Sequence, residues 1–304
     1  MTAARILSLL PAATEIVAAL GAADLLVGVS HECDHPASVR HLPRATSTAV
    51  DPHASSGEID AAVRHLVASG RAPFALDAMQ LAALAPTLIV TQSLCEVCAV
   101  SEGAACDLGA VLEPAPRVIS LAGTTLDGVW ADIRAVGAAL DRTAAAEALL
   151  ATLAARLRHV HETLNAARAP RPRVVVIEWL DPLFIAGHWT PELVRRAGGV
   201  DLLAEPGAHS VTADPSRVRD AAPELLLFAP CGFDVERAAR DGAALLATPA
   251  WAWARGLEAW ALDGNALTSR PGPRLVDAVE TMAGIFAPAL LPPPEPRYAR
   301  RLVE

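Results

Sequence analysis

The chain has 304 residues, 53% apolar and 19% charged, with a formal net charge of −9, enough for two modest domains, each with a buried core. The acidic balance argues against nucleic acid as a partner, which calls for a basic face. All 25 basic residues are arginine, which excludes Schiff-base and P-loop lysine chemistry.

The elements alternate from the start. Met1-Thr-Ala-Ala-Arg5 leads at once into a predicted strand over Arg5–Leu10, with no apolar stretch or small-residue cleavage site of a secretory signal before it. The sequence as given is therefore expected in the cytoplasm, or in the periplasm if a signal lies upstream. Further strands are predicted at Leu26–Ser30, Leu88–Gln92, Arg117–Leu121, Arg173–Trp179, Leu225–Ala229 and Leu257–Leu262. Helical patterns fall between them, at Thr14–Leu20, Ile59–Ser69, Met79–Ala85, Leu126–Leu140, Pro191–Ala197, Pro215–Ala221, Val235–Ala247 and Pro273–Ile285. This alternation predicts an α/β fold of mainly parallel sheets flanked by helices. Apolar runs such as Leu225–Pro230 fall well short of the about 20 residues that span a bilayer, so no membrane insertion is expected.

Thr143–Arg168 lacks glycine and proline and stops at Ala169-Pro-Arg-Pro172, which predicts one helix of roughly 39 Å at about 1.5 Å per residue. It divides the chain into an N-terminal lobe (1–142), a connector (143–168) and a C-terminal lobe (169–304). The last lobe ends in the proline-rich Leu290-Leu-Pro-Pro-Pro-Glu-Pro296, expected to be extended over the surface.

Three constellations could carry chemistry. His31-Glu-Cys-Asp34 follows a predicted strand, where loops at strand carboxyl ends line ligand crevices in open sheets. His31 and Glu32 are candidate ligand contacts. Cys95-Glu-Val-Cys98 follows another strand; with Cys33 and His31 it would complete a Cys₃His set of the kind that holds zinc, or serve thiol redox chemistry. Five cysteines without a regular framework suit reduced thiols or metal better than disulfides. In the second half, Glu178-Trp179 and Gly187-His188-Trp189 offer flat aromatic surface and an imidazole to a large planar ligand. Phe233 and Arg270, on later strand-end loops, are added as contacts to an apolar face and an anionic group. Pro11, Thr14 and Glu15 open the first helix, whose N–H groups could meet a polar ligand edge. A serine elbow, a glycine-rich phosphate loop and HExxH are all absent from the sequence, so any enzyme activity would rest on the thiol loops.

The opening Arg5-Ile-Leu-Ser-Leu-Leu-Pro-Ala-Ala-Thr-Glu15, with Leu20-Gly and Val27-Gly-Val-Ser30, resembles class III periplasmic binding proteins, the helical-backbone metal receptors. Leu84–Val90, Phe184–Trp189 and Ala197–Val200 match further landmarks of the family. Within it the chain is most similar to the cobalamin-binding component of ABC uptake transporters, in a branch without an export signal. The resemblance implies two Rossmann-like lobes joined by one long helix, a cobalamin-like corrinoid or other metal chelate held between them, and Trp189 at the ligand. It also implies docking on a permease through one acidic residue per lobe. Alignment puts Met79 and Ser216 at those places, so docking in the usual manner is expected to be lost. The Cys/His loops are not features of the exported cobalamin binder; they leave a metal-site or thiol-redox protein as the alternative.

Overall fold

The computed structural model describes residues 4–94, 102–110 and 112–302. It is α/β, as the alternation predicts, and divides into two compact units: Met1–Gly123 with Asp127–Ala151, and Thr124–Leu126 with Thr152–Glu304.

The first unit contains strands β1 (Ile6–Ser8), β2 (Leu26–Val29), β3 (Thr46–Thr48), β4 (Phe74–Leu76), β5 (Leu88–Gln92) and β6 (Arg117–Leu121). Its helices are α1 (Pro11–Ala19), α2 (Ser56–Ala68), α3 (Ala78–Leu84), α4 (Glu102–Gly109) and α5 (Leu126–Ala139). The sheet runs β2-β1-β5-β6 with every pair parallel. Strands buried on both faces read as continuous apolar runs, and β5 is buried along its whole length. The antiparallel pair β3–β4 lies apart from this sheet and was not legible in the sequence, each strand having only three residues. Leu7, Leu9, Leu81, Leu84 and Ile89 form a core cluster. Polar caps fix the helix starts: Ser55 and Glu58 make a reciprocal capping box on α2, and Asp77 accepts from Gln80 N on α3. Both satisfy otherwise orphaned N–H groups.

Helix α6 (Thr143–Ala166) is a single run of 24 residues, two shorter than predicted, and the division between the units falls within it, after Ala151. Its end is set by Arg168 in a left-handed conformation (φ 49°) and by Ala169 N donating back to Leu164 O, a C-terminal closure ahead of the prolines.

The second unit contains β7 (Arg173–Leu180), β8 (Leu183–Ile185), β9 (Val200–Asp201), β10 (Val211–Thr212), β11 (Leu225–Phe228), β12 (Glu258–Leu262) and β13 (Ala299–Leu302). Its helices are α7 (Thr190–Arg196), α8 (Pro215–Asp220), α9 (Val235–Leu246), α10 (Gly264–Leu267) and α11 (Leu275–Phe286). The order is β10-β8-β7-β11-β12-β13, with β9 also on β7. The centre, β7-β11-β12, is parallel, and β8 and β13 flank it antiparallel. Val175, Ile177, Leu226, Phe228 and Trp251 sit in the core; Trp251-Ala-Trp253 is packing, as its sequence suggests.

The proline-rich tail lies on the surface as expected, with Pro292, Pro293 and Pro296 exposed, but it is anchored. Leu291 is buried, and a Cβ on Gly284 of α11 would stand 2.2 Å from the Pro292 carbonyl oxygen. The tail is therefore packed on α11, and it delivers β13 to the sheet edge. Gly284→Ala should force that contact apart. Overpacking of this kind costs about 1–3 kcal/mol, so thermal unfolding should show a midpoint lower by several degrees; an unchanged midpoint would show that the tail is not docked.

Candidate functional site

In each unit the parallel strands deliver their loops to the carboxyl edge of the sheet, and most of the residues singled out from the sequence lie on these loops; His188 and Trp189 instead follow the antiparallel β8. In the first unit, Pro11 occupies the first helical position of α1 and is half-buried. Thr14 and Glu15 are buried. Thr14 Oγ1 donates to Ser8 Oγ at 2.8 Å and lies 3.1 Å from Cys33 Sγ, and Ser30 Oγ lies 3.1 Å from the same sulfur. Cys33 is fully buried, so this thiol ties the loop after β2 to α1 and β1.

His31 is half-buried. Its Nδ1 lies 2.7 Å from Thr46 Oγ1, which also accepts from His31 N at 2.9 Å, and its ring tilts on Phe74 at 5.4 Å. Burial, then the nearby Arg44 guanidinium, lowers its pKa, favouring the neutral imidazole. Arg44 itself holds the loop, donating to the Cys33 and Ser30 carbonyls. Glu32 is exposed. Cys95 and Cys98, the other half of the predicted Cys₃His set, lie outside the described residues. Among the described residues no group of three His, Cys, Asp or Glu side chains is placed to hold a metal ion.

In the second unit, Trp179 ends β7, half-buried. Its ring tilts on Phe233 at 5.4 Å, and the Arg237 guanidinium lies over the Phe233 ring at 3.5 Å, a cation–π geometry. Trp179 Nε1 donates to Asp181 O at 3.0 Å, which fixes the indole plane. Phe233 is positioned by the turn after β11: Cys231 N donates to Glu178 O, and Asn265 N donates to Phe233 O. Arg270 is buried and its Nη2 donates to Asn265 Oδ1 at 2.7 Å. It therefore braces the loop after β12, and an arginine contact to an anion was the sequence expectation. Trp189 is only 8% exposed and its Nε1 donates to Thr268 O at 2.8 Å, so it joins α7 to the end of α10.

His188, half-buried, takes a left-handed backbone (φ 53°). It is pinned by two backbone bonds, His188 N to Ala208 O and Gly207 N to His188 O. Its neighbour Gly187 has no room for a side chain: a Cβ there would lie 2.4 Å from Ser210 N. The β8–β10 pairing brings in His209, which the sequence reading missed because no motif joins it to His188. The His188 ring stands 5.2 Å from His209, edge-on, and 5.6 Å from Trp189.

Met79 and Ser216 lie in the first turns of α3 and α8, each two residues after a capping aspartate, Asp77 or Asp214. Met79 is 84% exposed. Among the described residues no helix is long and apolar enough to cross a membrane.

These strand-end loops on parallel sheets are the setting in which a binding protein of this class holds its ligand. A periplasmic binding protein family model matches residues 6–255, and the chain belongs to that family. The fold is also that of a periplasmic heme-binding protein from Pseudomonas aeruginosa, 23% identical, with a TM-score of 0.73 over 99% of this chain and 98% of that one. The vitamin B12-binding protein of Vibrio cholerae is 22% identical, with a TM-score of 0.62 over 94% and 98%. The heme-binding protein of Roseiflexus sp. RS-1 is 23% identical, with a TM-score of 0.66 over 95% and 99%. No curated protein matches the sequence.

The burial of Cys33 has a direct consequence. Thiol labelling of the native protein, read peptide by peptide, should modify the exposed Cys106 and Cys231 quickly and Cys33 only on unfolding, since an inaccessible thiol is inert. Fast labelling of Cys33 in the native state would contradict its placement.

Proposed function

We propose that the chain is the substrate-binding component of an uptake system and that its ligand is a metal-centred tetrapyrrole, a cobalamin-like corrinoid in the first instance and heme in the second. The observation that carries this is the tilted contact of Trp179 on Phe233, backed by Arg237, at the carboxyl edge of β7 and β11. A half-buried indole held in plane by its own N–H bond offers a flat apolar face at little ordering cost. Family membership supports a binding role, and the heme and vitamin B12 named for its structural neighbours supply the ligand class. Helix α6 takes the connector role. The family's setting supports the periplasm, the second of the two locations expected from the sequence.

The residues assigned to ligand contact are His31 and Glu32 within the first unit and Trp179 and His188 within the second, with Phe233, itself buried, backing Trp179. Thr14, Arg270 and Trp189 shape the loops that carry them, so Trp189→Ala would confound binding with packing. Trp179→Ala is the cleaner test. Titration with cyanocobalamin and, separately, with hemin, followed by visible absorbance and tryptophan fluorescence, should show saturable binding of at least one. Trp179→Ala should weaken it about 3- to 10-fold, the worth of an aromatic contact of about 0.5–1.5 kcal/mol. Binding of neither by the wild type at high protein concentration would overturn the proposal.

A further inference from the structure

We propose that His188 and His209 form a two-imidazole site for a bare divalent transition-metal ion of the zinc, copper or nickel kind. Two imidazoles bound cis to one ion, at a metal–nitrogen distance of about 2.0–2.1 Å in a tetrahedral arrangement, hold their ring centres about 5 Å apart. His188 and His209 stand at 5.2 Å with planes at 89°, and perpendicular rings are compatible with such a pair.

The spacing is built by the backbone. His188 N donates to Ala208 O at 2.6 Å and Gly207 N to His188 O at 2.8 Å, so the two chains that carry the rings are locked together at the end of the β8–β10 pairing. Gly187 permits that approach, since any Cβ would meet Ser210 N and the Ala208 carbonyl. The left-handed conformation of His188 is held by the same contacts; uncommon backbone geometry in a non-glycine residue costs energy and persists where the surroundings fix it.

The chemistry of the rings suits the role. His209 is exposed and His188 half-buried, so an ion can enter from solvent. Among the described residues no third His, Cys, Asp or Glu joins the pair. The remaining coordination positions therefore belong to water or to a small chelator arriving with the ion, and the site is exchangeable rather than structural. Imidazole selects zinc, copper and nickel over the oxygen-seeking magnesium and calcium.

The site shares His188 with the tetrapyrrole reading but is tested apart from it, because a corrinoid or heme has its in-plane positions filled and cannot accept two cis imidazoles. The test uses protein purified without a histidine tag and treated with chelator, titrated with Zn²⁺ by calorimetry and with Cu²⁺ by electron paramagnetic resonance, with no tetrapyrrole present. One ion per chain is expected, with coupling to two nitrogens in the copper spectrum. His209→Gln, an exposed change, should weaken binding about 10- to 100-fold, since losing a ligand costs at least as much as losing a ligand's hydrogen-bond partner. His188→Asn keeps a residue that tolerates the left-handed backbone and should do the same. If His188→Asn fails to fold, His209→Gln decides alone. No ion uptake by the wild type, or wild-type affinity and spectrum in His209→Gln, would overturn the proposal, whatever the outcome with cobalamin or heme.

Discussion

Parallel pairing at the centre of each sheet is the constraint on which the rest of the molecule depends. Parallel neighbours cannot be joined by a tight hairpin, so each strand is followed by a crossover, usually a helix. Each loop that leaves a parallel strand then emerges on the carboxyl edge. In the first unit that edge collects the loops after β1 and β2, with Pro11, His31 and Glu32. In the second it collects the ends of β7, β11 and β12, with Trp179, Phe233 and Asn265. The chemistry-bearing residues are scattered in sequence and gathered by topology.

The loops are then stiffened by buried polar contacts. Cys33 takes hydrogen-bond partners in Thr14 and Ser30; Arg44 holds two carbonyls of the same loop; Arg270 and Asn265 do comparable work in the second unit. Buried polar groups that find partners specify one arrangement of a loop, whereas unpartnered ones would oppose it. Several residues that look like ligand contacts in the sequence brace the loops that place others. Trp189 illustrates this: a tryptophan beside glycine and histidine reads as exposed, yet its indole N–H is spent on the Thr268 carbonyl and the ring is nearly covered.

The central strands were legible because a strand buried on both faces must be an unbroken apolar run, as in Leu88–Gln92 and Leu225–Phe228. The starts of α8 and α9 were legible at Pro215 and Val235, behind Asp214 and Asp234, whereas α2 begins three residues before the predicted Ile59 and α4 was not predicted. Strands β3, β4, β9 and β10 were not, because two or three residues carry no period. Strand β13 was hidden behind prolines that read as a loose tail, and only its antiparallel pairing with β12 reveals it. At the candidate site the single-loop groups, His31 and Trp179, could be read directly. His209 could not, because its relation to His188 exists only through the β8–β10 register. The Cys₃His expectation rested on two loops converging, and a spacing in sequence does not carry that information.

A binding protein of this family with aromatic and imidazole groups on its strand-end loops should leave its source with cargo. Native mass spectrometry of freshly isolated, untagged protein tests this most directly. The account requires a population of one chain carrying the mass of a corrinoid or heme, lost on unfolding. A spectrum of the polypeptide alone, unchanged after incubation with excess cobalamin and with excess heme, would contradict it.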